Sequence, residues 1–554
     1  MLPFIDLPFV WLANAIGASK DELKLIFTIL VSYPFAGLLK RLPDAEPWKK
    51  SVFLIGISLF YLLGVFDFWE GIRTLFISAA GAYTIAAFIN GPFMPWIGFV
   101  FLMGHMLWNH IYRELHPVPG VVDVTGAQMV LLMKLTAFCW SVHDGRLPDE
   151  ELSEFQKDRK ITKMPNLLDY GAYVLFFPSL FAGPAFDFRE YQRWIDCTMF
   201  DVVAPDAKHG GTKRKRKIPK SHVPAMWKAV YGILWIVAFL KLGSVYTTEF
   251  MLSDEAMTYS FFRRLWFIYA FCFTARTKYY GVWSLTEGAC ILSGLGYNGV
   301  DENRKAKWDR VTNVDPYALE TAQNTKAYLE AWNMNTNKWL KNYVYLRVTP
   351  KGRKPGFRSS LATFTTSALW HGISPGYYLT FLTASFTQTT AKYFRRHVRP
   401  LFLSAEDQKT SGPYKKLYDI FSMLVTQLAF SYIAAPFIVL TFSGSVTVWA
   451  RTYFFVHIAI IISLAFFYSS GKKWLVKTQQ RRLGRAAEEA EEEEEVLQRT
   501  GGALGLPEDP EGDLLEMRRE VERAVENRRR NGSFTGVVNA KKLASKVHVG
   551  KKAM

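Results

Sequence analysis

His371 is the side chain of this sequence whose type and surroundings most clearly suggest chemistry. It is the only strongly acidic or basic residue between Ser359 and Ala391. An imidazole titrates near neutral pH and can take a proton from a hydroxyl group. The residues that follow it, Gly372-Ile373-Ser374-Pro375-Gly376, loosen a helix and leave room for a substrate beside the ring. The alternative is a histidine bonded to a carbonyl of a neighbouring helix, and position alone slightly favours that alternative.

Three asparagines lie in the segment Trp332-Asn333-Met334-Asn335-Thr336-Asn337. The surrounding residues follow the i, i+3, i+4, i+7 spacing of one helix face: Leu329, Trp332, Thr336, Trp339, Tyr343 and Leu346. Asn333 and Asn337 lie four residues apart on a flank of that face. A neutral amide can donate a hydrogen bond to a carbonyl or a developing oxyanion. Three surface amides are the alternative, which the spacing alone favours.

Glu287 is the third candidate, because it is the only acidic or basic residue between Tyr279 and Val300. A buried carboxylate needs a cation or a hydrogen-bond donor to compensate its desolvation. Glu287 could therefore orient a catalytic group or a basic partner such as Lys134. A structural hydrogen-bond hub is an equally good interpretation.

No sequence pattern indicates a metal or nucleotide-phosphate site. The chain has no Walker A loop and no His-Glu-x-x-His pair. Its four cysteines, Cys139, Cys197, Cys272 and Cys290, form no CxxC pair, so neither a zinc site nor a disulfide framework is expected. Acyl, proton or solute transfer remain as the chemistries to consider.

The candidate residues lie among long apolar runs that predict a membrane scaffold. Runs without Asp, Glu, Lys or Arg include 51–66, 74–109, 359–391, 420–450 and 452–471, and a spanning helix needs about 20 mostly apolar residues. We predict an all-α, polytopic membrane protein with about ten to twelve transmembrane or re-entrant helices. Further spans or partial spans are expected at Phe261–Thr274 and Tyr279–Gly299, and a re-entrant or broken segment at Tyr170–Phe186.

The distribution of charge supports the same prediction. The net charge is +18, and basic clusters lie at Lys213-Arg214-Lys215-Arg216-Lys217 and directly after Gly471, at Lys472, Lys473, Lys477, Arg481, Arg482 and Arg485. Basic clusters that flank apolar runs are typical of cytoplasmic loops and attract anionic lipids. No basic domain is present that would favour nucleic acid as a partner.

Three regions are expected along the chain. Residues 1–22 form an N-terminal segment that could lie at the membrane interface, residues 23–471 form the transmembrane catalytic domain, and residues 472–554 form a charged cytosolic tail. Lys551 and Lys552 have the spacing of a dilysine retrieval signal, which a coat protein would read on the cytosolic side of the endoplasmic reticulum. Chance in a lysine-rich tail is about as good an explanation.

Two segments together resemble the membrane-bound O-acyltransferase family. They are Trp332-Asn-Met-Asn-Thr-Asn-Lys-Trp-Leu-Lys-Asn-Tyr-Val-Tyr-Leu346 and Trp370-His-Gly-Ile-Ser-Pro-Gly-Tyr-Tyr378, and the block from Phe177 to Tyr191 agrees with them. The resemblance is strongest to the lysophospholipid acyltransferase branch, particularly its broad-specificity fungal members. It covers about residues 20–475.

The resemblance implies roles for individual residues. It implies a catalytic histidine at His371, a polar partner at Asn333 and a functional acid at Glu287, while Asn335 and Asn337 compete with Asn333 for the amide role. Substrate contacts are expected from the residues around both motifs: Trp332, Asn337, Lys338, Trp339, Lys341, Arg347, Trp370 and Tyr377. The basic residues in and after the asparagine helix, with Lys351, Arg353 and Lys354, are candidates for the phosphates of acyl-CoA.

The function that this resemblance implies is transfer of a fatty acyl group from acyl-CoA to the free hydroxyl of a lysophospholipid. His371 would be the general base, acyl-CoA a co-substrate, and no cofactor or metal is expected. Transfer to a sterol, a diacylglycerol or a protein is the first alternative. A transporter, in which isolated charges mark an ion pathway, and a scaffold that recruits partners through its tail are further alternatives. The oligomeric state is left open.

Overall fold

The computed structural model describes residues 3–16, 19–117, 122–200, 218–350, 356–404, 411–412 and 414–483. Within these ranges the chain is helical, and two isolated bridges, Val300–Ala306 and Leu403–Ser411, are its only β-structure. The prediction of an all-α protein is therefore confirmed. The basic loop 213–217, the basic residues at 351–354 and the tail beyond Leu483 lie outside the described residues.

The described part of the first 200 residues forms helices that are mostly of membrane-spanning length. They are α1 (Pro3–Ile16), α2 (Lys20–Leu39), α3 (Pro47–Leu59), α4 (Trp69–Phe88), α5 (Met94–Leu115), α6 (Thr125–Asp144), α7 (Glu154–Arg159), α8 (Leu167–Val174) and α9 (Phe188–Ile195). A π-helical stretch, Phe60–Val65, extends α3. The predicted broken segment at Tyr170–Phe186 is confirmed, because α8 gives way there to a short 3₁₀ turn, Phe177–Ser179.

The remainder of the chain alternates long and short helices. They are α10 (His222–Gly243), α11 (Thr248–Leu252), α12 (Phe261–Ser293), α13 (Pro316–Glu320), α14 (Thr325–Ala331), α15 (Met334–Leu340), α16 (Phe357–His371), α17 (Pro375–Tyr393), α18 (Lys415–Val439), α19 (Phe442–Ala450), α20 (Phe455–Tyr468) and α21 (Ser470–Leu483). Two π-helical turns, Lys341–Tyr345 and Phe394–Val398, continue α15 and α17.

Six helical segments in the described ranges are long and apolar enough to cross a membrane: α2, extended α3, α4, α6, α10 with α11, and α18. Helices α19 and α20 would form a seventh span, bent by 74° at its break. Helices α5, α12 and α17 also exceed 18 residues but are more polar. The count of ten to twelve membrane segments stays a prediction.

The two segments predicted at Phe261–Thr274 and Tyr279–Gly299 are not separate helices. Most of both stretches belongs to α12, one continuous helix of 33 residues that is about 50 Å long. The charged residues between them do not interrupt the helix: Lys278 lies 3.5 Å from Glu22, and Arg276 is neutralised by Glu320. Its Nε and Nη2 donate to the two carboxylate oxygens at 2.8 and 2.9 Å.

Helix α6 lies at the centre of the fold. Nearly all of its side chains are buried, and it packs against α4, α5, α9 and α15. Helix α12 packs along most of α10 and also contacts α2 and α18. The interior therefore consists of α6 and α12, and the other helices surround them.

Both predicted region boundaries fall inside helices. The boundary at 22/23 lies within α2, whose Lys24 pairs with Asp6 of α1 at 2.5 Å. The boundary at 471/472 lies within α21, where Arg482 donates to the carbonyl oxygen of Pro400 at 3.1 Å. The described start of the predicted tail is thus packed on the helical domain.

The start of α17 fits closely against the end of α18. The Gly376 amide donates to the carbonyl oxygen of Leu440 at 2.8 Å, and a Cβ at Gly376 would overlap the Pro436 carbonyl oxygen and lie 2.8 Å from the Leu440 Cα. Both neighbours are backbone, which cannot rotate away as a side chain can.

We expect Gly376→Ala to lower the free energy of unfolding by at least about 1–3 kcal/mol, because it overpacks this contact. The measurement is thermal unfolding of the purified protein in detergent. Gly104→Ala in α5 is the matched control, since a Cβ there meets nothing within 4 Å. An unchanged unfolding temperature for Gly376→Ala would contradict the packing described.

Candidate active site

His371 is the last residue of α16 and lies in an enclosure of aromatic rings. The long apolar run 359–391 does not form one span, because α16 ends at His371 and α17 begins at Pro375. The imidazole is half-buried, with four ring centroids at 4.6 to 5.6 Å: Trp370, Tyr377, Phe381 and Phe437. In the described part of the chain neither ring nitrogen has a hydrogen-bond partner. The imidazole is thus not bonded to a helix carbonyl there.

The backbone around His371 is held by two other helices. His110 of α5 is buried and its Nε2 lies 3.2 Å from the carbonyl oxygen of Trp370. The Trp370 indole donates to the carbonyl oxygen of Met129 in α6 at 3.0 Å. Gly372 has a φ of +140°, which L side chains rarely adopt. His110 was not predicted from the sequence, although it lies in a mostly apolar helix, where a polar side chain is a signal of function.

Asn333 lies at the N-terminus of α15 with a left-handed backbone, φ 43° and ψ 53°. Asparagine tolerates this conformation better than most residues. Its side chain does not cap the helix, and it has no hydrogen-bond partner among the described residues. The amide is therefore available to bind another group.

The two competing asparagines are occupied by backbone contacts. The Asn335 amide is buried and donates to the carbonyl oxygens of Val311 and Thr312, both at 3.3 Å. The Asn337 amide donates to the carbonyl oxygens of Leu329 and Trp332. Both side chains stabilise the start of α15, whereas Asn333 does not.

Glu287 connects α12 to the loop that supports α15. It is almost fully buried, accepts a hydrogen bond from the Thr312 hydroxyl at 2.7 Å and pairs with Lys228 of α10 at 2.9 Å. Asn313, the residue after Thr312, accepts hydrogen bonds from two backbone amides. Its carbonyl oxygen accepts from Met334 at 2.8 Å, and its side-chain oxygen accepts from Asn335 at 3.2 Å. Glu287 is thus linked to the residues directly after Asn333 through one short loop.

The suggested pairing of Glu287 with Lys134 is wrong. The Lys134 ammonium instead donates to the carbonyl oxygen of Tyr173, and it lies 4.5 and 4.7 Å from the ring centroids of Tyr173 and Phe186. Backbone and aromatic faces therefore surround this cation, which is 3% exposed.

The tryptophans of the two motifs join the asparagine segment to the histidine turn. Trp332 packs on α12, with its ring centroid 4.9 Å from that of Trp283. Trp339 donates to Thr136 of α6 at 2.8 Å, and its ring lies 6.1 Å from that of Trp370. Helix α15, which begins directly after Asn333, and helix α16, which ends at His371, are therefore in contact through their tryptophan rings.

The basic residues predicted to bind substrate differ in their surroundings. Arg347 forms a two-pronged pair with the buried Asp144, at 2.8 and 2.5 Å, and its guanidinium lies 4.2 Å from the Trp140 ring centroid. Lys338 is exposed, and Lys341 is half-buried. The Arg347 guanidinium therefore has a structural role, and Lys338 is the better placed of the three for an external phosphate.

A polar cavity of about 70 Å³ lies between α6, α9 and α15. Four cationic and two carboxylate side chains line it: Lys134, Arg159, Arg310, Lys338, Asp187 and Glu190. Arg159 lies 3.2 Å from both Asp187 and Glu190. Burial raises the pKa of the Asp187 carboxyl to about 6 although Arg159 opposes the shift. The cationic excess makes this cavity suited to an anionic group.

The turn from Gly372 to Gly376 has the Gly-x-Ser-x-Gly spacing of a hydrolase nucleophile elbow. In such an elbow the serine follows a β-strand and is activated by a histidine. Here the turn joins two helices, and the Ser374 hydroxyl lies 3.4 Å from the Glu114 carboxylate. The geometry gives no support for a serine nucleophile.

The sequence is similar to those of known proteins. Residues 116–435 match the model of the membrane-bound O-acyltransferase family. The chain belongs to this family. It is 49% identical over 469 residues to a lysophospholipid acyltransferase of Schizosaccharomyces pombe, covering 85% of this chain and 90% of that protein. It is 44% identical over 467 residues to a lysophospholipid acyltransferase of Saccharomyces cerevisiae, covering 82% and 75%.

A human relative, membrane-bound glycerophospholipid O-acyltransferase 2, is 29% identical over 463 residues, covering 82% of this chain and 86% of that protein. The predicted family, the membrane class and the assignment as an O-acyltransferase are confirmed. The roles of individual residues stay predictions.

Substitutions of Glu287 test the network that holds α15. Because Glu287 anchors the loop that holds α15, we expect Glu287→Ala to lower both the unfolding temperature in detergent and kcat, leaving Lys228 and Thr312 without their acceptor. Glu287→Gln keeps an acceptor for Thr312, so its unfolding temperature and its kcat should both be higher than those of Glu287→Ala. Equal losses of kcat in the two variants, with an unchanged unfolding temperature, would instead indicate that the carboxylate acts in the chemistry.

Proposed function

We propose that this O-acyltransferase is a lysophospholipid acyltransferase, which transfers a fatty acyl group from acyl-CoA to the free hydroxyl of a lysophospholipid. In this proposal His371 is the general base, and Asn333 holds the reacting carbonyl. The observation that carries the proposal is the His371 imidazole, which has no hydrogen-bond partner in the described part of the chain and lies at a helix break inside an aromatic enclosure.

The names of the relatives support the choice of acceptor. Two fungal proteins, similar to this chain over most of its length, are named lysophospholipid acyltransferases. A panel of acceptors offered to the purified protein with labelled acyl-CoA tests this choice directly. Transfer to sterol or diacylglycerol with none to lysophospholipids would refute it.

The proposed reaction is a direct transfer. His371 takes the proton of the acceptor hydroxyl, and the oxygen attacks the thioester carbonyl of acyl-CoA. The Asn333 amide donates a hydrogen bond to the carbonyl oxygen as negative charge develops on it. The C–S bond then breaks, and the CoA thiolate leaves and receives the proton from the imidazolium. Holding both substrates in line supplies much of the rate, and the steps require no metal or cofactor.

The cavity beside α15 supports acyl-CoA as donor. Arg310 and Lys338 on its wall are suited to a phosphate group through charge-assisted hydrogen bonds. Its volume of about 70 Å³ corresponds to part of a nucleotide only, so the remainder of CoA would lie outside it. Trp339 lies on the cavity wall and contacts Trp370, which places the cavity one aromatic layer from the histidine turn.

The location in the cell is also part of the proposal. We infer residence in the endoplasmic-reticulum membrane with residues after Gly471 on the cytosolic side. The basic residues Lys472, Lys473 and Lys477 after the last apolar run support this orientation. Recognition of Lys551 and Lys552 by a coat protein stays a prediction, because both lie outside the described residues.

We expect His371→Gln to lower kcat by at least about 100-fold, because the general base is lost. The measurement is CoA release with saturating substrates, alongside the unfolding temperature in detergent. His457→Gln is the matched control, a second half-buried histidine in an apolar helix, whose Nδ1 bonds to the Tyr432 hydroxyl at 2.7 Å. Near-normal turnover by His371→Gln would make His371 structural.

Asn333 and Asn337 are distinguished by two substitutions. Asn333→Gly removes the amide while keeping a residue that accepts left-handed backbone, so we expect an unchanged unfolding temperature and a kcat lowered by about 100- to 1000-fold. Asn337→Ala should lower the unfolding temperature, since it removes bonds to two backbone carbonyls. The reverse pattern would move the catalytic amide to Asn337.

A further inference from the structure

The last turn of α5 packs against the turn that carries His371. His110 contacts the carbonyl oxygen of Trp370 at 3.2 Å, and Glu114 accepts from the Ser374 hydroxyl at 3.4 Å. Arg113 lies between these two residues in sequence, and residues three apart are neighbours on a helix surface. The Arg113 guanidinium is therefore within one side-chain length of the space beside His371.

Arg113 is accessible and only loosely held. Its side chain is 63% exposed, and its one partner in the described ranges is Asp123, with Nε and Oδ2 3.4 Å apart. Asp123 also accepts from the Thr125 amide at 3.0 Å, which fixes that carboxylate at the start of α6. The guanidinium can turn toward a ligand without breaking a buried contact.

The charges around Arg113 fit one class of ligand. One guanidinium is flanked by two carboxylates, Glu114 and Asp123. Carboxylates repel a purely anionic group but attract a cation, so this set complements a ligand that carries a phosphate and an ammonium group together. Lysophospholipids with ethanolamine or choline headgroups have this charge pair.

We propose that the last turn of α5 binds the headgroup of a zwitterionic lysophospholipid. Arg113 takes the phosphate, and Glu114 and Asp123 take the ammonium group. In a lysophospholipid the free hydroxyl lies within two carbons of the glycerol carbon that bears the phosphate. A headgroup held at Arg113 therefore leaves the hydroxyl facing His371. The proposal rests on the proposed function, since it names the class of acceptor.

The test compares Arg113→Gln with wild type, using lysophosphatidylethanolamine and acyl-CoA. We expect the KM for the lysolipid to rise about tenfold or more, the loss of a charge-assisted contact, while kcat and the KM for acyl-CoA change less than about twofold. Arg113→Lys keeps the positive charge, so its KM for the lysolipid should lie between those of wild type and Arg113→Gln. An unchanged lysolipid KM, or equal losses for both substrates, would overturn the proposal.

Arg73→Gln is the matched control. Arg73 is 69% exposed and pairs with Glu70 in the first turn of α4. Because α4 and α5 are consecutive helices joined by a short turn, the start of α4 and the end of α5 lie at the same face. This variant removes the same charge from that face away from His371, and its KM values should match those of wild type. If Arg73→Gln raised the lysolipid KM as much as Arg113→Gln does, the effect would come from general surface charge, and a specific site would be refuted.

Glu114→Gln tests the ammonium half of the site. It keeps an acceptor for Ser374 but removes the negative charge, so the KM should rise for lysophosphatidylethanolamine and stay equal or fall for lysophosphatidate, which has no ammonium group. The same rise for both acceptors would overturn the zwitterion assignment.

Binding can also be measured without turnover. Lysophosphatidylethanolamine should raise the unfolding temperature of His371→Gln but not of His371→Gln/Arg113→Gln. Equal shifts in both would refute the site. If wild type transfers no acyl group to any lysophospholipid, the proposed function fails. If wild type transfers normally and Arg113→Gln has an unchanged lysolipid KM, only the headgroup site is rejected.

Discussion

A helix that ends inside a bundle of membrane helices leaves its last carbonyl groups without intrahelical partners, and lipid offers none. The described structure meets this constraint at the end of α16. The Trp370 carbonyl is bonded by His110, and the Gly376 amide across the turn is bonded by the Leu440 carbonyl. Because α5 and α18 satisfy the backbone on both sides of the break, the chain can expose one unpaired imidazole in the interior. The aromatic enclosure, the glycine at 372 and the close contact at Gly376 all depend on this arrangement.

The polar segment before α16 is held by the same kind of constraint. The side-chain amides of Asn335 and Asn337 are bonded to backbone carbonyls near the start of α15, whereas that of Asn333 has no partner among the residues that the structure describes. Glu287 completes this network through Thr312 and is itself neutralised by Lys228. A buried charge of this kind is tolerated when it is paired and hydrogen-bonded. The result is one available amide and one available imidazole, each supported by groups that cannot easily take over its role.

The positions of His371, Asn333 and Glu287 were found from the sequence because each is a polar residue where its neighbours are apolar or follow a helical face. Their surroundings were not readable in the same way. His110 is separated from His371 by 261 residues along the chain, and Lys228 from Glu287 by 59, so no local spacing links either pair. The single helix α12 was predicted as two segments because Arg276 and Lys278 interrupt its apolar run, and Glu320, the partner of Arg276, lies 44 residues further along the chain.

The sequence by itself determined the all-α membrane class, the family and the residue types available for acyl transfer, since apolar run length and short motifs are local properties. Only the tertiary structure decided which asparagine is free, that Arg347 is occupied by Asp144, and that Arg113 lies beside the histidine turn. These are questions of which polar group finds a partner. Partners in a helical bundle come from distant helices, so the answer lies in the packing and not in the order of residues along the chain.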